Sequence, residues 1–230
     1  MTIQKQITMN KVMYLLLAFS LFASCKKDDT TDENSSTSIG GDTNIEINQI
    51  GNTFTPAAVS VGGSYLDIPA SIETTKTENG INTIKMVVDL TQAPELAALN
   101  AMIPAQYKDN QGRLNSEVRV KMTSEGILDY TNKDGAPFVA VKYGSSVGDQ
   151  YQLTKSDGKT ITRKVVQKST TDDFSWGFLM IKTISVEQDS RMPGISKIVY
   201  RFNHKFGLVA FEVHGEDRSV LQGLVYPKYP

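Results

Sequence analysis

Period-two alternation is the feature that most constrains this chain. In Glu117–Thr123, Val118, Val120 and Met122 fall on one side and Arg119, Lys121 and Thr123 on the other. That is the pattern of a strand with one face buried. The same reading extends over Phe138–Tyr143, Tyr151–Lys155, Thr160–Lys168, Phe178–Val186, Ile198–Phe202, Leu208–Val213 and Val220–Tyr226. Asp157-Gly158 separates two of these runs and Asp134-Gly135 separates Ile127–Thr131 from Pro137–Tyr143. Asp-Gly between alternating segments predicts a tight hairpin, because Gly supplies the positive φ that the turn needs. Ile45–Ile50, Tyr65–Ile68 and Thr83–Leu90 are expected to supply the first strands.

One helix interrupts the strands. Leu96, Leu99 and Ile103 lie at i, i+3 and i+7, an apolar stripe on a short amphipathic helix over 94–103. Thr91 is placed to cap it, Pro94 suits a first turn, and Glu95 suits the positive end of the helix dipole. Pro104 stops it. So short a helix needs a sheet to pack on. The expected fold is therefore α+β and β-dominated: a curved, half-barrel-like antiparallel sheet with one covering helix near 94–103.

Residues 1–24 read as a targeting segment. Lys5 and Lys11 precede Val12–Ala23, an apolar run of twelve residues, shorter than the roughly 20 that a spanning helix needs. Cys25 is the only cysteine in the 230-residue chain. No disulfide can form within the chain, so the core alone must hold the fold. Residues 25–42, from Lys26-Lys27-Asp28-Asp29 through a Ser/Thr/Gly-rich stretch, carry few apolar groups and read as a flexible tether. The expected organisation is a signal peptide over 1–24, a tether over 25–42 and one β-rich domain over 43–230.

The order Leu21-Phe22-Ala23-Ser24-Cys25 resembles the lipobox of bacterial lipoproteins, with Phe22 where that family usually has Leu. The resemblance implies cleavage before Cys25 and alkylation of its thiol with diacylglycerol, palmitate being among the acyl chains carried. Two or more chains make a permanent anchor where one does not. Lys26, Lys27, Asp28 and Asp29 resemble the export signal of surface lipoproteins of the Bacteroidota, and Asp29-Thr30-Thr31 resembles the O-glycosylation acceptor of the same group. Together these imply an outer-membrane, lipid-anchored protein on the outer face, with the periplasmic face as the alternative. The segment from Val147-Gly148-Asp149-Gln150-Tyr151 through Lys159–Val165 and Gly177-Phe178 to Tyr200 and Gly207-Leu208-Val209 is similar in layout to uncharacterised envelope lipoproteins with a Lol-type half-barrel fold. It implies a curved sheet able to cradle something apolar.

Motifs for chemistry are sparse. The formal net charge is −1, and removing the two lysines of the first 24 residues leaves −3, so no nucleic-acid partner is expected. Gly144-Ser145-Ser146-Val147-Gly148 satisfies G-x-S-x-G, with Asp189 and His204 following in chain order. A nucleophile elbow needs a helix after the serine, whereas a strand is expected here, so a Gly/Ser turn is favoured. His204 and His214 are the only histidines, and with no paired Cys or H-E-x-x-H motif no metal site or cofactor is expected. Asp109–Gly112 and Asn132–Gly135 lack the ligand spacing of a calcium loop and read as β-turns. Asp172-Asp173 beside Phe174, Trp176 and Phe178 could suggest work on sugars, but neighbouring residues of a strand point to opposite faces. A charged loop followed by core aromatics is the preferred reading.

The expected function is non-enzymatic: an envelope lipoprotein that binds an apolar or glycan ligand. Its cavity would be lined by Phe178–Val186 and Leu208–Val213, provided the helix does not plug it. The alternatives are an accessory lipoprotein docking on another envelope protein through an exposed apolar patch and, more remotely, a serine hydrolase using Ser146.

Overall fold

The computed structural model describes residues 48–190 and 193–227. The signal segment, Cys25, Lys26–Asp29, the tether and the expected domain start near Thr43 all lie outside the described residues. Residues 45–47 of the first expected strand also lie outside them, and residues 48–50 form a turn where strand was expected.

Fifteen strands follow: β1 (Thr53–Val61), β2 (Ser64–Tyr65), β3 (Ala70–Glu78), β4 (Ile81–Val88), β5 (Leu114–Met122), β6 (Gly126–Asp129), β7 (Phe138–Lys142), β8 (Gln150–Thr154), β9 (Thr160–Lys168), β10 (Phe174–Trp176), β11 (Leu179–Ile181), β12 (Ile184–Asp189), β13 (Ile195–Asn203), β14 (Gly207–Gly215) and β15 (Val220–Pro227). One antiparallel sheet of thirteen strands has the order β7-β6-β5-β4-β3-β1-β15-β14-β13-β12-β9-β8, with β2 added beside β1. β10 and β11 form a separate hairpin.

The sheet curls until its two edges meet, giving a nearly closed barrel. Phe138 of β7 packs with Leu153 of β8 and Ile161 of β9. Polar contacts cross the same seam. Ser156 donates its N–H and Oγ–H to Asp134 at 2.8 and 2.6 Å. Arg163 donates to the Val139 carbonyl at 3.2 Å, and Lys168 to the Ser145 carbonyl at 2.8 Å. Curling covers edges that would otherwise offer unpaired backbone groups to other chains. Gly126 shows how tight the β6–β7 approach is: a Cβ there would lie 2.1 Å from the Val141 carbonyl oxygen.

Alternation decides what faces in. Ile198, Tyr200 and Phe202 of β13 point to the core. Lys197 and Arg201 point outward and pair with Glu187 and Glu212 at 2.6 and 3.7 Å. Apolar inside and charged outside is the reverse of a membrane-spanning barrel. No helix among the described residues is long and apolar enough to cross a membrane.

Because every pairing is antiparallel, strand ends fall on two rims. The upper rim holds the 89–113 connection between β4 and β5. The lower rim holds the start of β1, the end of β15, and the connections 143–149, 169–183 and 204–206. Helix α1 (Ala97–Met102) sits at the upper rim, preceded by 3-10 turns at Leu90–Gln92 and Pro94–Leu96. The expected helix over 94–103 is thus a 3-10 turn running into α1, and Thr91 does not cap it: neither piece has a side-chain cap, while Asp89 caps the separate turn Leu90–Gln92. The Asp89 carboxylate accepts from the Thr91 N–H at 3.1 Å and the Thr91 hydroxyl at 2.5 Å.

Two expected strands are corrected. Tyr65–Ile68 keeps strand geometry only at Tyr65. Phe178–Val186 splits into β11 and β12, and Gly177 at φ +62° turns β10 back onto β11. β1 and β3 were not foreseen.

Candidate functional site

A cavity of about 260 Å³ lies inside the barrel. Each wall comes from the inward-facing half of an alternating strand. β4 and β5 supply Ile84, Met86, Val118 and Val120; β13 to β15 supply Ile198, Phe211 and Leu221. The upper rim contributes Leu96, Leu99 and Ile103, the stripe read from the sequence. The helical segment therefore roofs the cavity and does not fill it.

The expected lining is half right. Leu208 and Val213 line the cavity, but no residue of Phe178–Val186 does. In this region Ile184 and Val186 belong to the surrounding core, while Phe178, Leu179 and Met180 are exposed.

Two ionisable residues interrupt the apolar lining: Asp129 at the end of β6 and Arg163 in β9. Both are buried. Their closest N–O distance is 3.7 Å. Arg163 also donates from Nε to Gln188 Oε1 at 3.1 Å, and its guanidinium lies over the rings of Phe138 and Tyr200 at 5.1 and 5.6 Å. Asp129 accepts from the Thr131 N–H at 2.8 Å. Burial pushes the Asp129 carboxyl up to about 8, against the opposing pull of Arg163. Burial also lowers the Arg163 pKa, while Asp129 raises it. The sequence reading missed this pair. Its signal was parity: Arg163 shares the inward face of β9 with Ile161 and Val165.

The G-x-S-x-G segment is a turn on the lower rim that leads directly into β8. Ser146 is exposed, and its N–H donates to Asp149 Oδ2 at 2.9 Å. Its neighbour Ser145 is buried and hydrogen-bonded to the Tyr151 hydroxyl. His204 lies on the same rim, edge-on to Tyr143 with ring centroids 6.4 Å apart. Burial lowers the His204 pKa. Asp189 ends β12 at the opposite rim. The structure does not bring Ser146, Asp189 and His204 together. His214 pairs with Glu212 at 2.8 Å. Asp109–Gly112 and Asn132–Gly135 are turns, closed by Gly112 N–H to Asp109 O and Gly135 N–H to Asn132 O, each at 3.0 Å.

No family model matches this chain, and neither a curated protein nor a solved structure matches it. The cavity must therefore be read from its own chemistry.

Asp172 and Asp173 are exposed, and Asp173 accepts from Ser169 Oγ at 2.5 Å. Trp176 is buried, and its Nε1–H donates to the Val225 carbonyl at 3.1 Å. Its ring packs against Phe206 and Tyr226 with centroids 4.6 and 5.1 Å apart. The preferred reading of a charged loop before core aromatics fits Trp176 but not Phe178.

Proposed function

We propose that this protein is a non-enzymatic, lipid-anchored envelope module that holds an apolar chain inside its barrel. The observation that carries the reading is the size and character of the cavity. Unfilled apolar volume costs about 24 cal/mol per Å³. For about 260 Å³ that is on the order of 6 kcal/mol, comparable with the net stability of a whole domain, about 5–15 kcal/mol. Water is a poor filler, because a buried water needs two to four polar partners. Here the two ionisable lining residues already face each other at 3.7 Å, and Arg163 is further bonded to Gln188 and the Val139 carbonyl. An apolar cavity of about 150 Å³ is large enough for benzene, so this one suits a longer hydrocarbon. Glycans need many hydrogen-bond partners, so the lining favours the apolar member of the two expected ligand classes.

Leu21–Cys25 supports the anchor, and Lys26–Asp29 supports placement at the outer membrane. The likeness in layout to uncharacterised envelope lipoproteins, whose folds are similar to Lol-type carriers with a cradle for acyl chains, supports the ligand class.

Binding of a polyene fatty acid whose fluorescence rises in apolar surroundings tests the cavity. Saturable binding is expected, weakened about tenfold (~1.4 kcal/mol) when Ala140→Leu fills part of the space. Absence of saturable binding to the folded wild type would sink the reading. Palmitate labelling tests the anchor separately: Cys25→Ala should abolish it, and retained label would refute attachment at that residue.

A further inference from the structure

Six large apolar side chains are exposed among the described residues: Ile50, Tyr65, Val147, Phe178, Leu179 and Met180. Five of them, all but Tyr65, belong to lower-rim segments. They come from three separate pieces of chain: the turn before β1, the β7–β8 connection, and the β10–β11 hairpin. Scattered exposed apolar residues are ordinary, whereas clustering on one end marks an interaction surface.

The hairpin is braced. Trp176 and Ile181 pack on Val209, with Phe174, Phe206, Leu224 and Tyr226 around them. Near its base, Phe174 lies beneath the guanidinium of Arg201 at 4.6 Å. At its turn, Gly177 lies against Tyr226, whose backbone pairs with Thr55 of β1. The hairpin therefore crosses the outside of β13 and β14 and presents Phe178 beside the start of β1. A small core is spent on holding a fully exposed phenylalanine in place.

We propose that the lower rim docks on a lipid bilayer, with Phe178, Leu179 and Met180 entering the boundary between headgroups and acyl chains. The chain before Asn48, which carries the proposed anchor residue Cys25, leaves from this same rim, where Asn48 is hydrogen-bonded to Asn82 at the start of β4. The proposed lipid anchor and the exposed apolar surface thus attach to one end of the barrel. Charges at the rim are mixed: Lys142, Lys168, Lys182 and Lys205 stand with Glu125, Asp149, Asp172 and Asp173. Apolar insertion carries the contact, so anionic lipid adds little to it. The inference rests on the proposed lipid anchor, but it concerns a different surface from the cavity and does not depend on what the cavity holds.

The test uses the full-length chain with vesicles of phosphatidylethanolamine and phosphatidylglycerol containing acyl-brominated phosphatidylcholine, which quenches tryptophan at acyl depth. Trp176 is the only tryptophan, and it is retained so that the hairpin core stays intact. Phe178→Trp and Tyr65→Trp each add one reporter, at the lower and upper rim. The emission added at 178 is expected to shift to the blue and to be quenched about threefold, as for a side chain 5–10 Å below the surface. The emission added at 65 is expected to stay unquenched. A chain left in the supernatant, or a residue 178 quenched by aqueous acrylamide as fully as residue 65, overturns the proposal. Protection of residue 178 from both quenchers also overturns it, and assigns the rim to a second copy or another protein.

Discussion

The two rims of the barrel treat apolar side chains in opposite ways. At the upper rim, Leu90, Leu96 and Ile103 are buried in a segment of two 3-10 turns and α1 that lies over the barrel mouth. At the lower rim, Trp176 and Ile181 are buried so that Phe178, two residues from the tryptophan, stands fully in solvent. Hydrophobic burial stabilises both, but only the upper rim uses it to close the molecule. The contrast teaches that a roof and a protruding tip can come from equally apolar sequence. What separates them is whether the segment curls over the barrel mouth or folds back on itself at a glycine.

Removing the brace should have the largest effect. Trp176→Ala deletes a buried aromatic and its hydrogen bond to Val225, and should cost about 3–5 kcal/mol. Denaturant unfolding measures the loss, and proteolysis should open first between 170 and 183. A cost below about 1 kcal/mol would mean that the hairpin is not held by its own core. Leu96→Ala at the upper rim comes next, at about 2–5 kcal/mol. It should also speed exchange of a bound acyl probe, because the side chain belongs to the roof. Unchanged exchange kinetics would show that ligands enter elsewhere.

A third change probes the interior between the rims. The folded-state pKa of Asp129 is raised to about 8 from an ordinary value near 3.8. The folded chain therefore keeps a proton that the unfolded chain has released, so stability falls as pH rises between those values. Lowered acids such as Asp109 and Asp217 act below this window, and His204 acts within it with the opposite sign. Subtracting the Asp129→Asn profile of Tm against pH from the wild-type profile isolates the carboxyl. The difference should slope downward from pH 4 to 8, and a flat difference would place an ordinary carboxyl at residue 129. Smallest in solution is Phe178→Ser, within about 0.5 kcal/mol of wild type, since the ring touches mainly water. A larger loss would show that the tip is part of the fold.

Much of the second half of the barrel was legible because its strands alternate cleanly. β9 runs over the predicted Thr160–Lys168, and β13, β14 and β15 contain the predicted segments. β1 and β3 were hidden for different reasons. β1 carries Pro56 and two alanines, with Ala58 at φ +50° in a bulge, so its alternation slips. β3 reads Ala-Ser-Ile-Glu-Thr-Thr-Lys-Thr-Glu, mostly polar, and is a strand because β1 and β4 flank it. The roof stripe and the Leu208–Val213 wall were readable from spacing. The exposed tip was not, because Phe178-Leu179-Met180-Ile181 looks the same as a buried strand until the turn at Gly177 is placed. Nor could spacing show that Asp129 and Arg163 meet, since they lie on strands far apart in the sheet order and come together only when it closes.

The central claim is that the barrel interior holds an apolar chain. Native mass spectrometry of a fragment beginning at Thr43, expressed in bacterial cells and purified without detergent, tests it most directly. The account predicts a reproducible non-covalent adduct with the mass of one acyl-chain lipid, diminished in Ala140→Leu. A bare polypeptide mass for the folded wild type would contradict it.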